Sequence, residues 1–231
     1  MRPILVFCLL LATPVAHAQP LVLELFTSQA CSSCPPADAL LSELASRPDL
    51  LALDMHVDYW NRLGWRDPYS APQFTERQRQ YAALLHEDTV YTPELVVGGT
   101  RHVVGSDRAA VLAAIAAGEA GAGVPLSLSL SRSGGGLIAE AGVGAGPATL
   151  WVVGFDRRHE TRIGGGENGG RTLVESNVVR ALAPVASWTG AAMRVALAPP
   201  SGETAAVFLQ ARDGRIIGAA SLSPLGAEPP P

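Results

Sequence analysis

The chain has no lysine: all 17 of its basic residues are arginine. That excludes a P-loop lysine, a Schiff-base lysine and a lysine general base, each of which needs an amine. Charge is scarce altogether, at 16% of 231 residues against 48% hydrophobic, with a formal net charge of −4. Such a composition is neither that of a disordered polyelectrolyte nor that of a protein gripping nucleic-acid phosphates. The three cysteines are too few for a disulfide-stapled scaffold. After the first eighteen residues no stretch is long and apolar enough to suggest a membrane span. The length allows one large domain or two small ones.

The first eighteen residues read as an address. Arg2 is a short positive region, residues 4–11 are apolar, and Ala16-His17-Ala18 supplies a small-x-small cleavage pattern. The expectation is a signal peptide over 1–18 and an exported product, periplasmic or secreted, with no membrane contact after cleavage. Cys8 would leave with the signal, so Cys31 and Cys34 remain. An exported pair meets an oxidising compartment.

Hydrophobic periodicity then sets out the elements. Residues 21–26 read as a buried strand, and Cys31-Ser32-Ser33-Cys34 opens a helix to residue 44. Pro35 and Pro36 fall in the first turn, where a missing amide costs least. A strand over 50–58 precedes an aromatic, proline-broken insert over 59–74. A helix follows at 73–85, then a hairpin of 94–97 and 101–104 turning at Gly98-Gly99. Ser106 is placed to cap a helix over 107–117. At 118–123 the texture becomes linker-like, and beyond it the period is two. Short strands at 137–141, 148–155, 172–182, 193–197, 205–211 and 216–222, with leucines alternating from Leu126 to Leu130, predict an all-β, sandwich-like unit. The expected organisation is an α/β domain over 19–120, a β domain over 124–225 and a frayed tail over 226–231.

Strand, short loop, C-x-x-C and helix together carry the chemistry. A nucleophilic sulfur must be a thiolate, and the first turn of a helix offers unpaired amides and the positive end of the dipole. Cys34, one turn on, closes a small ring. Attack by Cys31 gives a mixed disulfide that Cys34 resolves, as an effectively intramolecular step. Two alternatives stay open: an inert disulfide, or half of a copper or zinc site in a metal-delivery module. His56, His86, His102 and His159 are not at helpful spacing for the latter, so no metal ligand and no cofactor is assigned. His56 to Trp60 ends a strand, where α/β sites gather, although Tyr59, Trp60 and Trp65 read first as core of the insert. The glycine-rich run from Gly164 to Arg171 reads as a long hairpin turn, with neither the lysine nor the helix a phosphate loop requires.

On these residues the N-terminal half resembles the thioredoxin and glutaredoxin superfamily. More closely, the segments ELFTSQACSSCPPAD, HVDYWNRLGW, YTPELVV and GENGGRTL resemble a family of secreted bacterial proteins catalogued as a domain of unknown function with a thioredoxin-like fold. The resemblance implies an α/β thioredoxin-like N-terminal domain followed by a β-rich one. It implies that Pro93 is cis and faces the cysteines, with Thr92 offering backbone groups to a peptide or thiol. Glu24 would correspond to the buried acid that moves the resolving thiol's proton in thioredoxins, one residue farther from the first cysteine, an edge or hydrogen-bonded strand glutamate being the other reading. Val104-Gly105-Ser106-Asp107 is similar to the glutaredoxin segment that holds the glutathione carboxylate, a plain helix cap being the other reading. The dipeptide Ser32-Ser33 departs from those usual in the superfamily. The function expected is that of an exported thiol–disulfide oxidoreductase acting on protein thiols or disulfides or a glutathione-like thiol, with metal delivery or non-catalytic binding as rivals.

Overall fold

A computed structural model describes residues 19–121 and 126–222. The expected signal peptide, the end of the expected linker and the tail lie outside the described residues.

The first half runs β1 (Leu21–Thr27), α1 (Pro35–Leu44), β2 (Leu50–His56), α2 (Pro72–Leu85), β3 (Glu94–Val97), β4 (Arg101–Val104) and α3 (Arg108–Ala120). Strand β1 is parallel to β2 and antiparallel to β3, and β3 is antiparallel to β4. The β3–β4 turn needs left-handed backbone at both central residues, and Gly98 and Gly99 supply φ of 59° and 73°. Alternation along β1 divides the helices. Leu23 and Leu25 pack with α1 and α3 through Leu40, Leu41, Val111 and Ile115. Val22 and Phe26 face α2 through Phe74 and Tyr81. Helix α1 begins with Pro35 and Pro36 at N1 and N2 behind Cys34 as N-cap. The cap of α3 is Asp107, whose carboxylate accepts from the Ala110 amide. It takes the place expected of Ser106 because its side chain lies three residues before that donor.

The second half supplies β5 (Leu128–Ser133), β6 (Gly136–Ala141), β7 (Ala148–Arg162), β8 (Thr172–Trp188), β9 (Met193–Leu197), β10 (Thr204–Ala211) and β11 (Ile216–Ser221). These strands fall on the period-two segments, with β7 and β8 running on to Arg162 and Trp188 beyond the expected ends at 155 and 182, but their assembly differs from a free-standing sandwich. Only β5, β6 and β9 form a separate sheet. The order β11-β10-β7-β8-β2-β1-β3-β4 makes one eight-stranded sheet across both halves. The joint is β8 against β2, in parallel, at Asp54 opposite Val178.

The fusion has a packing cause. Strand β10 and the first part of β7, residues 148–156, turn little of either face to solvent. Leu150, Val152, Val207 and Leu209 close the core against the small sheet. Trp151, Val153, Phe155, Ala206 and Phe208 join the core that α2 covers. A strand apolar on both sides needs a layer on each, and the N-terminal half provides the second.

Candidate functional site around Cys31 and Cys34

The loop from Ser28 to Ser33 leaves β1 at its carboxyl end and delivers Cys31 to the front of α1. Cys31 and Cys34 form a disulfide with Cα atoms 5.5 Å apart. Both are buried while Ser32 and Ser33 between them are exposed. The Ser33 hydroxyl lies 3.3 Å from Cys31 Sγ.

Across from the pair the Thr92–Pro93 bond is cis. Thr92 Oγ1 donates to Cys31 Sγ at 3.3 Å and accepts from Trp60 Nε1 at 2.8 Å. Helix α2 pins this loop, since Gln78 Nε2 donates to the Tyr91 carbonyl at 2.6 Å and to Glu94 Oε2 at 2.7 Å. Trp60 therefore has a polar task besides its packing: its indole N–H fixes the hydroxyl that meets the sulfur.

Gly105 closes the floor. Its amide donates to the Pro93 carbonyl at 2.9 Å. A Cβ there would lie 2.8 Å from Leu25 Cδ1 and 3.3 Å from Ala37 Cβ, so a larger residue would have to push the end of the Leu25 side chain aside. Ser106 and Asp107 are exposed. Asp107 accepts from the Ala110 amide, which is the plain helix-cap role.

Glu24 is placed elsewhere. It shares the Val22 and Phe26 face of β1, toward α2, whereas the cysteines belong to α1 on the other side. Arg77 holds it through a bidentate ion pair, with Nη2 3.0 Å from Oε2, and Tyr81 donates a short hydrogen bond to the same oxygen. The guanidinium rests over the Tyr81, Trp151 and Phe208 rings. Burial disfavours its charge, but Glu24 outweighs that and its pKa is pushed further up. The pair is a buried structural tie in the core that joins the halves.

A buried polar cluster under the cysteine loop carries what sequence reading missed. Asp38 follows Cys34 by one helical turn and is buried with it; Thr27 Oγ1 donates to its Oδ1 at 2.6 Å. Burial, with Asp54 next in importance, pushes the Asp38 carboxyl well above the usual range. Behind it stand Asp54, His56, Asp67 and Glu175, all nearly or wholly buried. His56 Nδ1 lies 2.7 Å from Asp67 Oδ2, and its Nε2 lies 3.5 Å from Asp54 Oδ2 and 3.9 Å from Glu175 Oε1. Burial opposes charge on His56, yet Asp67 and Asp54 prevail and raise its pKa well above the ordinary value. Asp67 is correspondingly lowered: desolvation would raise it, but His56 and the amides of Gln29 and Tyr69 outweigh that. Burial lifts Glu175 to about 7. Among the described residues, neither Asp54 oxygen, nor His56 Nε2, nor Glu175 Oε1 has a hydrogen-bond partner. Among the described residues no group of three or more His, Cys, Asp or Glu is arranged to hold a metal ion.

Gln29 connects this cluster to the cysteines. Its amide donates to Asp67 Oδ2 at 2.8 Å, its Nε2 to Glu175 Oε2 at 2.7 Å, and its Oε1 accepts from Trp65 Nε1 at 3.1 Å. The second half also reaches the site directly. Asn168 Nδ2 donates to the carbonyls of Gln29 and Cys31 at 3.0 and 2.8 Å, and Glu167 Oε2 accepts from the Ser32 amide at 3.1 Å. Residues 163–171 are the β7–β8 hairpin connection, as their glycines indicated. The glycines serve close approach: a Cβ on Gly164 would lie 2.9 Å from the Trp65 ring and one on Gly165 2.6 Å from the Gly64 carbonyl. Two sequence signals were readable, Asp54 interrupting the apolar run LLALDMH and Glu175 at an inward position of β8. Nothing in the sequence says that β8 meets β2.

The molecule is thus a mixed α/β protein with a helix-leading C-x-x-C disulfide closed in by its own second half. The chain belongs to the family described as "Protein of unknown function (DUF1223)", whose model matches residues 22–210. It is similar to a crystal structure of a protein from Agrobacterium tumefaciens, at 34% identity over 93% of this chain and 97% of that one, with a TM-score of 0.79. HBP35 of Porphyromonas gingivalis is similar in fold, at 14% identity over 92% of this chain and 79% of that one, with a TM-score of 0.60. No curated protein gives a significant sequence match. Among the described residues no helix is long and apolar enough to cross a membrane.

Proposed function

We propose that this protein is an exported thiol–disulfide oxidoreductase of thioredoxin-like architecture, acting through Cys31 and Cys34 on protein or small-molecule thiols and disulfides. The observation that carries the reading is the Cys31–Cys34 disulfide at the start of α1, facing a cis Thr92–Pro93 bond whose threonine hydroxyl donates to Cys31 Sγ. The strand order β2-β1-β3-β4, with α1 and α3 on one face and α2 on the other, supports the architecture. Export rests on the sequence of residues 1–18 alone.

In the reducing direction the Cys31 thiolate attacks one sulfur of a substrate disulfide. The new S–S bond forms as the substrate's own breaks, and the first substrate sulfur leaves as a thiolate that takes a proton. Cys34 then loses its proton and attacks Cys31 Sγ, which expels the second substrate thiolate. The protein dithiol is oxidised by two electrons and the substrate disulfide is reduced to two thiols; the oxidising direction is the reverse. The Thr92 hydroxyl stabilises charge on Cys31. Asp38, one turn from Cys34 on the buried side of α1, takes the proton-accepting role that Glu24 is not placed to fill.

Exchange of the reduced protein with a small disulfide tests the reading. Cys31→Ser is expected to abolish exchange, and Cys34→Ser to accumulate a mixed disulfide on Cys31. Full exchange by Cys31→Ser would overturn it.

A further inference from the structure

The β7–β8 loop supplies a carboxylate to the front of the cysteine loop. Glu167 is exposed, yet its backbone is fixed on both sides. Next to it, buried Asn168 binds two carbonyls of the cysteine loop and is itself gripped by Arg171 Nη1 at 2.8 Å. Gly164 and Gly166 are packed on Trp65. From this base Glu167 Oε2 takes the Ser32 amide, the first backbone donor after Cys31. Hydrogen bonds from Ser32, its hydroxyl first and its amide second, hold the Glu167 carboxyl below its ordinary pKa, so the carboxylate is charged across the neutral range.

A thiolate at the start of a helix is stabilised by free amides and an absence of nearby anions. Glu167 removes one such amide and adds one such anion. Resting on the thiol–disulfide reading above, we propose that Glu167 is a positioning residue of the β domain that opposes ionisation of reduced Cys31, so that the second half of the chain sets the nucleophilicity of the pair. The other groups around Cys31 are distinguishable from Glu167. The Thr92 and Ser33 hydroxyls are uncharged, and Arg171 is engaged by Asn168. Asp38, Asp67, Glu175 and His56 lie in the buried cluster beneath the loop, where salt reaches them far less than it reaches an exposed carboxylate.

The test is the pH profile of Cys31 alkylation by neutral iodoacetamide in the reduced protein, with the modified residue identified by peptide mass. In Glu167→Gln the profile is expected to move to lower pH, with the rate on its acid side rising about tenfold for a displacement of one pH unit. Glu167→Asp, shorter but still charged, is expected to fall between. High salt should move the wild-type profile the same way and leave that of Glu167→Gln nearly still. Coincident wild-type and Glu167→Gln profiles at low salt, in proteins that both exchange with a disulfide, refute the proposal and leave the oxidoreductase reading standing. A wild-type pair that resists reduction and alkylation refutes both. Should Glu167→Gln fail to fold, the wild-type salt series decides, and a profile indifferent to salt refutes the proposal.

Discussion

Replacing Glu175 by glutamine removes an ionisable carboxyl from the buried cluster while keeping its shape and its ability to accept from Gln29 Nε2. The folded protein holds Glu175 near 7, chiefly because burial penalises its charge, against 4.5 for the free side chain. A carboxyl with a raised folded pKa binds its proton more tightly folded than unfolded. Its contribution is therefore fully present below about 4.5 and is lost as pH rises through 7. That difference corresponds to about 3 kcal/mol at most. His56 works in the same sense at higher pH: its raised pKa contributes stability that is complete below 6.5 and lost above its folded value. The lowered Asp67 works oppositely, but only as pH falls through the acid range, outside this window. Urea unfolding of the oxidised protein at intervals from pH 4.5 to 8 reads the effect. The wild type is expected to lose stability with rising pH, and Glu175→Gln to lose about 3 kcal/mol less over the range. Equal slopes in the two proteins would refute a protonated, desolvated Glu175 and with it this account of the cluster.

Two further outcomes follow from the remaining buried charges. Asp38→Asn should leave the attack by Cys31 intact but prolong the mixed disulfide on the order of a hundredfold, the usual weight of a positioned proton acceptor; trapping by acid quench measures it, and an unchanged lifetime removes Asp38 from the mechanism. Arg77→Ala strands Glu24 in the core and should cost about 3–5 kcal/mol by denaturant unfolding, whereas a loss below about 1 kcal/mol would mean that Glu24 is not dependent on its partner.

The sequence determined much of this molecule because the relevant physics is local. Helix periodicity, Pro35 and Pro36 at a helix start, and paired glycines at a hairpin turn fixed elements that depend on neighbours within a few residues. The same holds for the C-x-x-C at the front of α1 and for the positions of the period-two strands, although β7 and β8 run on to 162 and 188, past the ends that alternation marked. Glu24 shows where local reading stops. Its interruption of an apolar strand marked it as a buried acid, but which helix covers that face is a tertiary fact, and α2 answers with Arg77. Asp38, Asp54, Asp67 and Glu175 come from a helix, a strand, a loop and a strand up to 137 positions apart (38 to 175), and no period or spacing links them. Only the docking of β8 along β2, with β10 and the first part of β7 buried on both faces, brings the β7–β8 loop onto the cysteines and makes one site of two halves.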